Sequence, residues 1–296
     1  NITLDDLHNF SSVGITSGNN VTLNDTNALT LNASTISGTF GVTSGGTLTV
    51  GGAISATVGA TTLTANSMAI GAAITATGQT VTLKPVAASG TAINLGTGTG
   101  ALDLTGTELD NITASTLRIG ANDTSTGAIT VTSDINAANV ATIHLRTPST
   151  ITGTAGGIVE TNLALTAGGT INFADATTDV VTLAISGSGQ TVTFTDADGI
   201  DLGSVDSVTG VTATTFNLTT GGAITDSQAS TISGVTTLLA GAGNNITLDH
   251  ASNNFGSVGI TSGLNVALND TGALILNAST ISGTLGVTTA GAITDG

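Results

Sequence analysis

The stretch NVTLNDTNALTLNASTISGT, residues 20–39, returns as NVALNDTGALILNASTISGT at residues 265–284, identical at 17 of 20 positions. The copy widens on both sides. Residues 15–43 and 260–288 agree at 24 of 29 positions, and NITLD opens both copies, at Asn1 and Asn245, with one extra residue in the second. The differences are ordered. Thr22 becomes Ala267 and Thr30 becomes Ile275, while Val21, Leu23, Leu29 and Leu31 return as Val266, Leu268, Leu274 and Leu276. Aliphatic residues at every second position are the mark of strands with one buried face. The kept positions are therefore expected to point inward and the variable ones outward. Asn27 becomes Gly272, and both residue types accept the left-handed backbone of a tight turn.

The same small unit recurs throughout: a turn residue, then aliphatic, polar, aliphatic. It reads NALTL at Asn27, GTLTV at Gly46, GALDL at Gly100, GAITV at Gly127, GTINF at Gly169 and GALIL at Gly272. A sister unit reads NITL at Asn1, NVTL at Asn20, QTVTL at Gln79, QTVTF at Gln190 and NITL at Asn245. Ile2 and Val21 are 19 residues apart, Leu29 and Leu48 19, Ile171 and Val192 21, and Ile246 and Val266 20. A beat of about 20 residues filled with short strands predicts a parallel β-helix, each coil holding two or three strands. Stacked about 4.8 Å apart, some 15 coils would make a rod on the order of 70 Å long. Its core ladder is expected to include Val21, Leu23, Leu29, Leu31, Phe173, Phe194, Val266, Leu268, Leu274 and Leu276. Phe173 and Phe194, one coil apart, are expected to stack. No helical pattern is visible, and residues 55–80 cannot be phased. The domain reading is one continuous β-helix over 1–296, with a long repeat of about 245 residues that spans 1–244 and restarts at 245–296.

Composition agrees with an all-β chain. Of 296 residues 61 are Thr and 41 Gly, with no Cys, Trp or Tyr and only Pro85 and Pro148. Thr, Val and Ile suit strands, and Gly, Asn and Asp suit turns. Hydrophobic residues at 39% argue against disorder. Charged residues make up 7%, and the formal charge of −16 leaves three cations: Lys84, Arg118 and Arg146. Nucleic-acid binding and polybasic attachment to lipid are both excluded on that count. No apolar run reaches the roughly 18 residues of a spanning helix. An outer-membrane barrel would need aromatic girdles, and a globular sandwich would not explain the beat.

Candidate chemistry is sparse. His8 and His250 occupy the same poorly aligned loop of the two copies, and His144 lies in a strand-like ATIHLRT. No Ser, His and Asp grouping stands out, so no catalytic residue and no cofactor is expected. The densest acidic stretch is TDADGIDLGSVD. Its Asp196, Asp198 and Asp201 are the residues that would offer oxygen ligands to calcium. The EF-hand pattern fails there because Ile200 stands where an acid or amide is wanted, and Asp-rich turns without metal are the preferred reading. Eleven Asn-x-Ser/Thr sequons occur; Asn at turns followed by strand Thr produces them by composition alone. Stacked Asn side chains are expected to form amide ladders.

The runs NITLD, VGITSG, LNDTGAL and STISGTLGVTTAGAITD resemble the repeats of filamentous haemagglutinin-type exoproteins, long bacterial β-helical fibres exported by two-partner secretion, many of them adhesins. The resemblance is clearest over residues 1–50 and 222–296. It implies a right-handed solenoid at the bacterial cell surface or outside the cell, and the crossover rule gives the same hand. The expected function is a secreted structural shaft serving adhesion or scaffolding. Its partners would be copies of itself, end to end and laterally, and surface glycans or proteins of a host or neighbouring cell. Ile275, expected to face outward, is the candidate lateral contact. The family's N-terminal secretion domain is not recognisable. The alternative is a carbohydrate-active β-helix enzyme, which would need a row of carboxylates on one exposed face.

Overall fold

The computed structural model describes residues 1–88, 90–96 and 101–296; Gly100, which opens the GALDL unit, lies outside them. The chain is all-β, a parallel β-solenoid of about 14 turns of roughly 20 residues with almost no helix. Two compact units divide it, Asn1–Ser149 and Thr150–Gly296.

One coil of the first unit runs through strands Val21–Asp25, Leu29–Leu31 and Ser34–Ile36. The next repeats the circuit with Phe40–Ser44, Thr47–Val50 and Ile54–Ala56. Each strand pairs in parallel with its counterpart one coil on, Val21 with Phe40, Leu29 with Leu48 and Ser34 with Ile54. These coils each hold three short strands, whereas the circuit from Ile171 to Val192 holds one short strand, Ile171–Phe173, and one long one, Asp179–Ser186. The four spacings read from the sequence are all register pairs: Ile2 with Val21, Leu29 with Leu48, Ile171 with Val192, and Ile246 with Val266.

A coil this thin cannot bury an aliphatic residue alone; it does so by stacking like on like. One ladder of the first unit runs Val21, Phe40, Thr61, Val81, Leu117, Ile143. One of the second runs Ile171, Val192, Phe216, Thr236, Val258. Phe173 and Phe194 are register partners whose rings stack with centroids 5.8 Å apart. Of the ten ladder residues named above, nine are buried, and Leu276 is half-buried. Leu276 pairs with Val258 on one side and Asp295 on the other.

The ladders compensate for volume. Phe40 is followed by Thr61 and Phe216 by Thr236. Phe173 is preceded by Gly153, where a Cβ would come within 2.8 Å of the Phe173 ring. Backbone hydrogen bonds hold the coils about 4.8 Å apart, so a bulky rung is met by a small neighbour at these places and by a stacked ring at Phe173 and Phe194. The hydroxyls of Thr61 and Thr236 are buried and make no hydrogen bond. Thr236→Val keeps the shape and removes an unsatisfied polar group. It is expected to raise the unfolding free energy by about 1 kcal/mol, measured as a higher urea midpoint.

Two features depart from the sequence reading. A five-residue helix, Gly106–Asp110, interrupts the solenoid, and its N-cap Thr105 and Glu108 form a capping box. Between Val81 and its partner Leu117 the chain also holds the strands Thr91–Leu95 and Leu102–Leu104, paired with each other, so this step is 36 residues long rather than about 20. The signal was present as Thr105-x-x-Glu108, the S/T-x-x-E pattern of a helix start. The second departure is an antiparallel hairpin in which Ser204–Val205 pairs with Val208–Thr209. Its turn residues Asp206 and Ser207 have φ of 44° and 72°, the left-handed pair that closes two-residue hairpins. Val205 and Val208 pack on Ala164 and Ala184, which explains why those alanines are buried.

Residues 55–80 follow the ordinary beat, with Ile54 paired to Ile74 and Thr61 to Val81. Their rhythm is hidden because Thr61 and Met68 take ladder positions. The long strand Ile74–Lys84 also bends at Gly78, where φ is 76°.

Candidate functional site

The polar chemistry of this chain concentrates where strands end and the coil turns a corner. Asp25, Asp196 and Asp270 are buried there, each at most 2% exposed. Each accepts the amide two residues ahead, from Asn27 at 3.0 Å, Asp198 at 3.3 Å and Gly272 at 2.8 Å. Each also accepts an amide one coil back, from Phe10 at 2.5 Å, Val180 at 2.9 Å and Phe255 at 2.6 Å. One carboxylate thus closes its own turn and staples it to the preceding coil. The residues lying behind these carboxylates are His8, Thr178 and Asn253, whose carbonyls accept the amides of Thr26, Ala197 and Thr271. His8 is therefore the counterpart of Asn253, and not of His250 with which it shares a loop.

Asn side chains work the corners in the same way. Asn20 accepts the Thr39 amide at 3.0 Å and Asn265 the Thr284 amide at 3.1 Å. The backbone amides of Asn20 and Asn265 in turn donate to the side chains of Asn1 and Asn245 at 3.3 Å. The two sequence copies build the same bonds.

At one corner three carboxylates converge. Asp179, Asp196 and Asp198 each place an oxygen within 4.8 Å of the others. Asp201, grouped with Asp196 and Asp198 on sequence, is not part of this cluster. It lies on strand Ile200–Leu202, where its carboxylate accepts from Thr225 at 3.2 Å and Ser227 at 2.5 Å. Asp179 was missed because it sits one coil upstream and only stacking brings it to Asp196. The same buried staple occurs at Asp25 and Asp270, so the position of Asp196 is explained without an ion.

Burial pushes the Asp196 carboxyl up to about 7; the amides of Val180 and Asp198 favour its ionised form and work against the rise, and the nearby charges of Asp198 and Asp179 add to it. Burial also raises Asp226. A raised folded-state pKa means stability that is complete below about pH 4 and lost as pH rises through 7. Unfolding is therefore expected to become easier between about pH 4 and pH 7, by on the order of 4 kcal/mol at most from Asp196. Asp196→Asn should flatten that slope in urea titrations; an unchanged slope would reject the assignment.

The histidines lie apart in function. His8 stacks on Phe10 at 5.0 Å, His144 is buried within strand Thr142–Thr147, and His250 accepts the Ser252 amide at 3.2 Å. The cations, in contrast, are brought to one face of the first unit. Arg118 is in register with Thr82 and with His144, Leu83 with Ile119, and Arg146 with Gly120. Lys84, Arg118 and Arg146 thus fall on three successive strands of one ladder. Asp123 is held below the usual carboxylate range, first by the Ser125 hydroxyl and amide and further by Lys84 and Arg146.

The family described as repeats of unknown function (DUF5649) matches residues 18–75, 189–262 and 263–296, together more than half of the chain. The chain belongs to this repeat family. Two of the matched repeats begin at equivalent places, Gly18 and Gly263, each of which makes a parallel bridge to an isoleucine one coil on, Ile36 and Ile281. The first two matched segments each span more than one coil. The helix and all three cations lie outside the matched repeats. No curated protein matches the chain, and no solved structure does. No helix of the described residues is long and apolar enough to cross a membrane.

Proposed function

We propose that the chain is a non-enzymatic structural segment, the β-helical shaft of an extracellular or cell-surface fibre of the filamentous haemagglutinin type, serving adhesion or scaffolding. The observation that carries this reading is that repeated sequence makes repeated stacking. The bonds of Asp25 and Asn20 recur at Asp270 and Asn265. A chain built this way lengthens by adding copies, and each copy buries the apolar edge of the last. The rival carbohydrate-active enzyme calls for carboxylates free to face a substrate. At the one cluster present among the described residues, Asp196 is buried and turns both oxygens onto backbone amides. Cryo-electron microscopy of the native material tests the proposal. A layer line near 4.8 Å with a longer repeat near roughly 60 Å supports a continuous filament; discrete particles without that line would reject it.

Protease resistance follows from the same architecture. Lys84 precedes Pro85, and Arg118 and Arg146 lie inside paired strands. Trypsin is expected to leave the native chain whole on a denaturing gel, and to release three fragments once the chain is unfolded in urea. Rapid native cleavage after Arg118 would mean that this coil opens.

A further inference from the structure

A chain with formal charge −16 repels its own copies. Clustering its three cations on one face is therefore unexpected from composition. Stacking nevertheless sets Lys84, Arg118 and Arg146 on three successive paired strands, all half-buried and alternating with buried Leu83, Ile119 and Leu145, with Asp123 as a nearby acid that feels Lys84 and Arg146. They lie outside the segments that match the family repeat, so the repeating staple does not account for them. Across the described residues, the densest group of opposite charge is the corner of Asp179, Asp196 and Asp198, of which Asp198 is exposed and Asp179 half-exposed.

We propose that the face carrying Lys84, Arg118 and Arg146 docks sideways onto the Asp179–Asp198 corner of a second copy of this chain. Guanidinium groups favour carboxylate partners, which they can hold through paired hydrogen bonds, and complementary patches overcome the general repulsion only where they meet. The contact joins two different surfaces, a face of Asn1–Ser149 on one copy and a corner of Thr150–Gly296 on the other. This pairing rests on the shaft reading and gives it a lateral dimension.

Sedimentation velocity of the whole chain tests it. At about 10 mM salt, where charges reach roughly 30 Å, the chain is expected to associate; at about 1 M salt, where they reach about 3 Å, it should dissociate. Lys84→Glu with Arg146→Glu should weaken the low-salt association about tenfold or more, and so should Asp179→Lys with Asp198→Lys. Mixing the two reversed variants restores complementary surfaces and should restore association, an outcome that misfolding of either variant cannot produce. Absence of low-salt association in the wild type, or association that survives in both variants, overturns the proposal. The 4.8 Å layer line reports on the shaft separately, so a filament without sideways pairing would sink this inference alone.

Discussion

Phe194→Ala is expected to lower the unfolding free energy of Thr150–Gly296 by about 4 kcal/mol. The ring is fully buried, stacked 5.8 Å from Phe173, and pairs with Leu218 on the next coil. A globular core relaxes into such a hole from several directions. Here the coils are pinned at their backbone spacing, so the cavity stays open and the loss falls at the upper end of the usual range. Phe194→Leu, which keeps most of the volume, should lose about 1 kcal/mol. The urea midpoints of the two variants decide the matter. A loss under about 1 kcal/mol for the alanine variant would mean that the ladder collapses after all.

Asp25→Ala is expected to lower stability by about 3 kcal/mol. It strips acceptors from the amides of Phe10 and Asn27, at 2.5 and 3.0 Å, in a site only 1% exposed. Buried donors left without a partner cost more than the bond itself contributed. Asp25→Asn keeps one acceptor oxygen and should lose roughly half as much. The comparison is Asp201→Ala, where the carboxylate faces outward to the hydroxyls of Thr225 and Ser227; water replaces those bonds and the loss should stay under about 1 kcal/mol. Equal losses at Asp25 and Asp201 would remove the staple from the account of how coils hold together.

The solenoid was legible because its coils repeat and its strands alternate. Leu29 over Leu48 and Ile246 over Val266 are spacings before they are contacts. Legibility failed where a residue outside the aliphatic set took a ladder place, as Thr61 and Met68 do. It failed again where the chain left the beat, at Gly106–Asp110 and the hairpin around Asp206. The acidic cluster was legible by half. Asp196 and Asp198 are neighbours in sequence, whereas Asp179 joins them through stacking and Asp201 leaves them by facing outward from its strand.

What the sequence by itself determined is the period, the inward and outward sets and the turn positions, because each depends on residues close together along one chain. Only the tertiary structure decided which polar groups share a corner, that His8 answers to Asn253, and that three scattered cations share a face. The physical reason is register. Neighbours along a solenoid axis are about 20 residues apart, and a shift of one or two residues in a coil changes every partner across it while leaving its local pattern untouched.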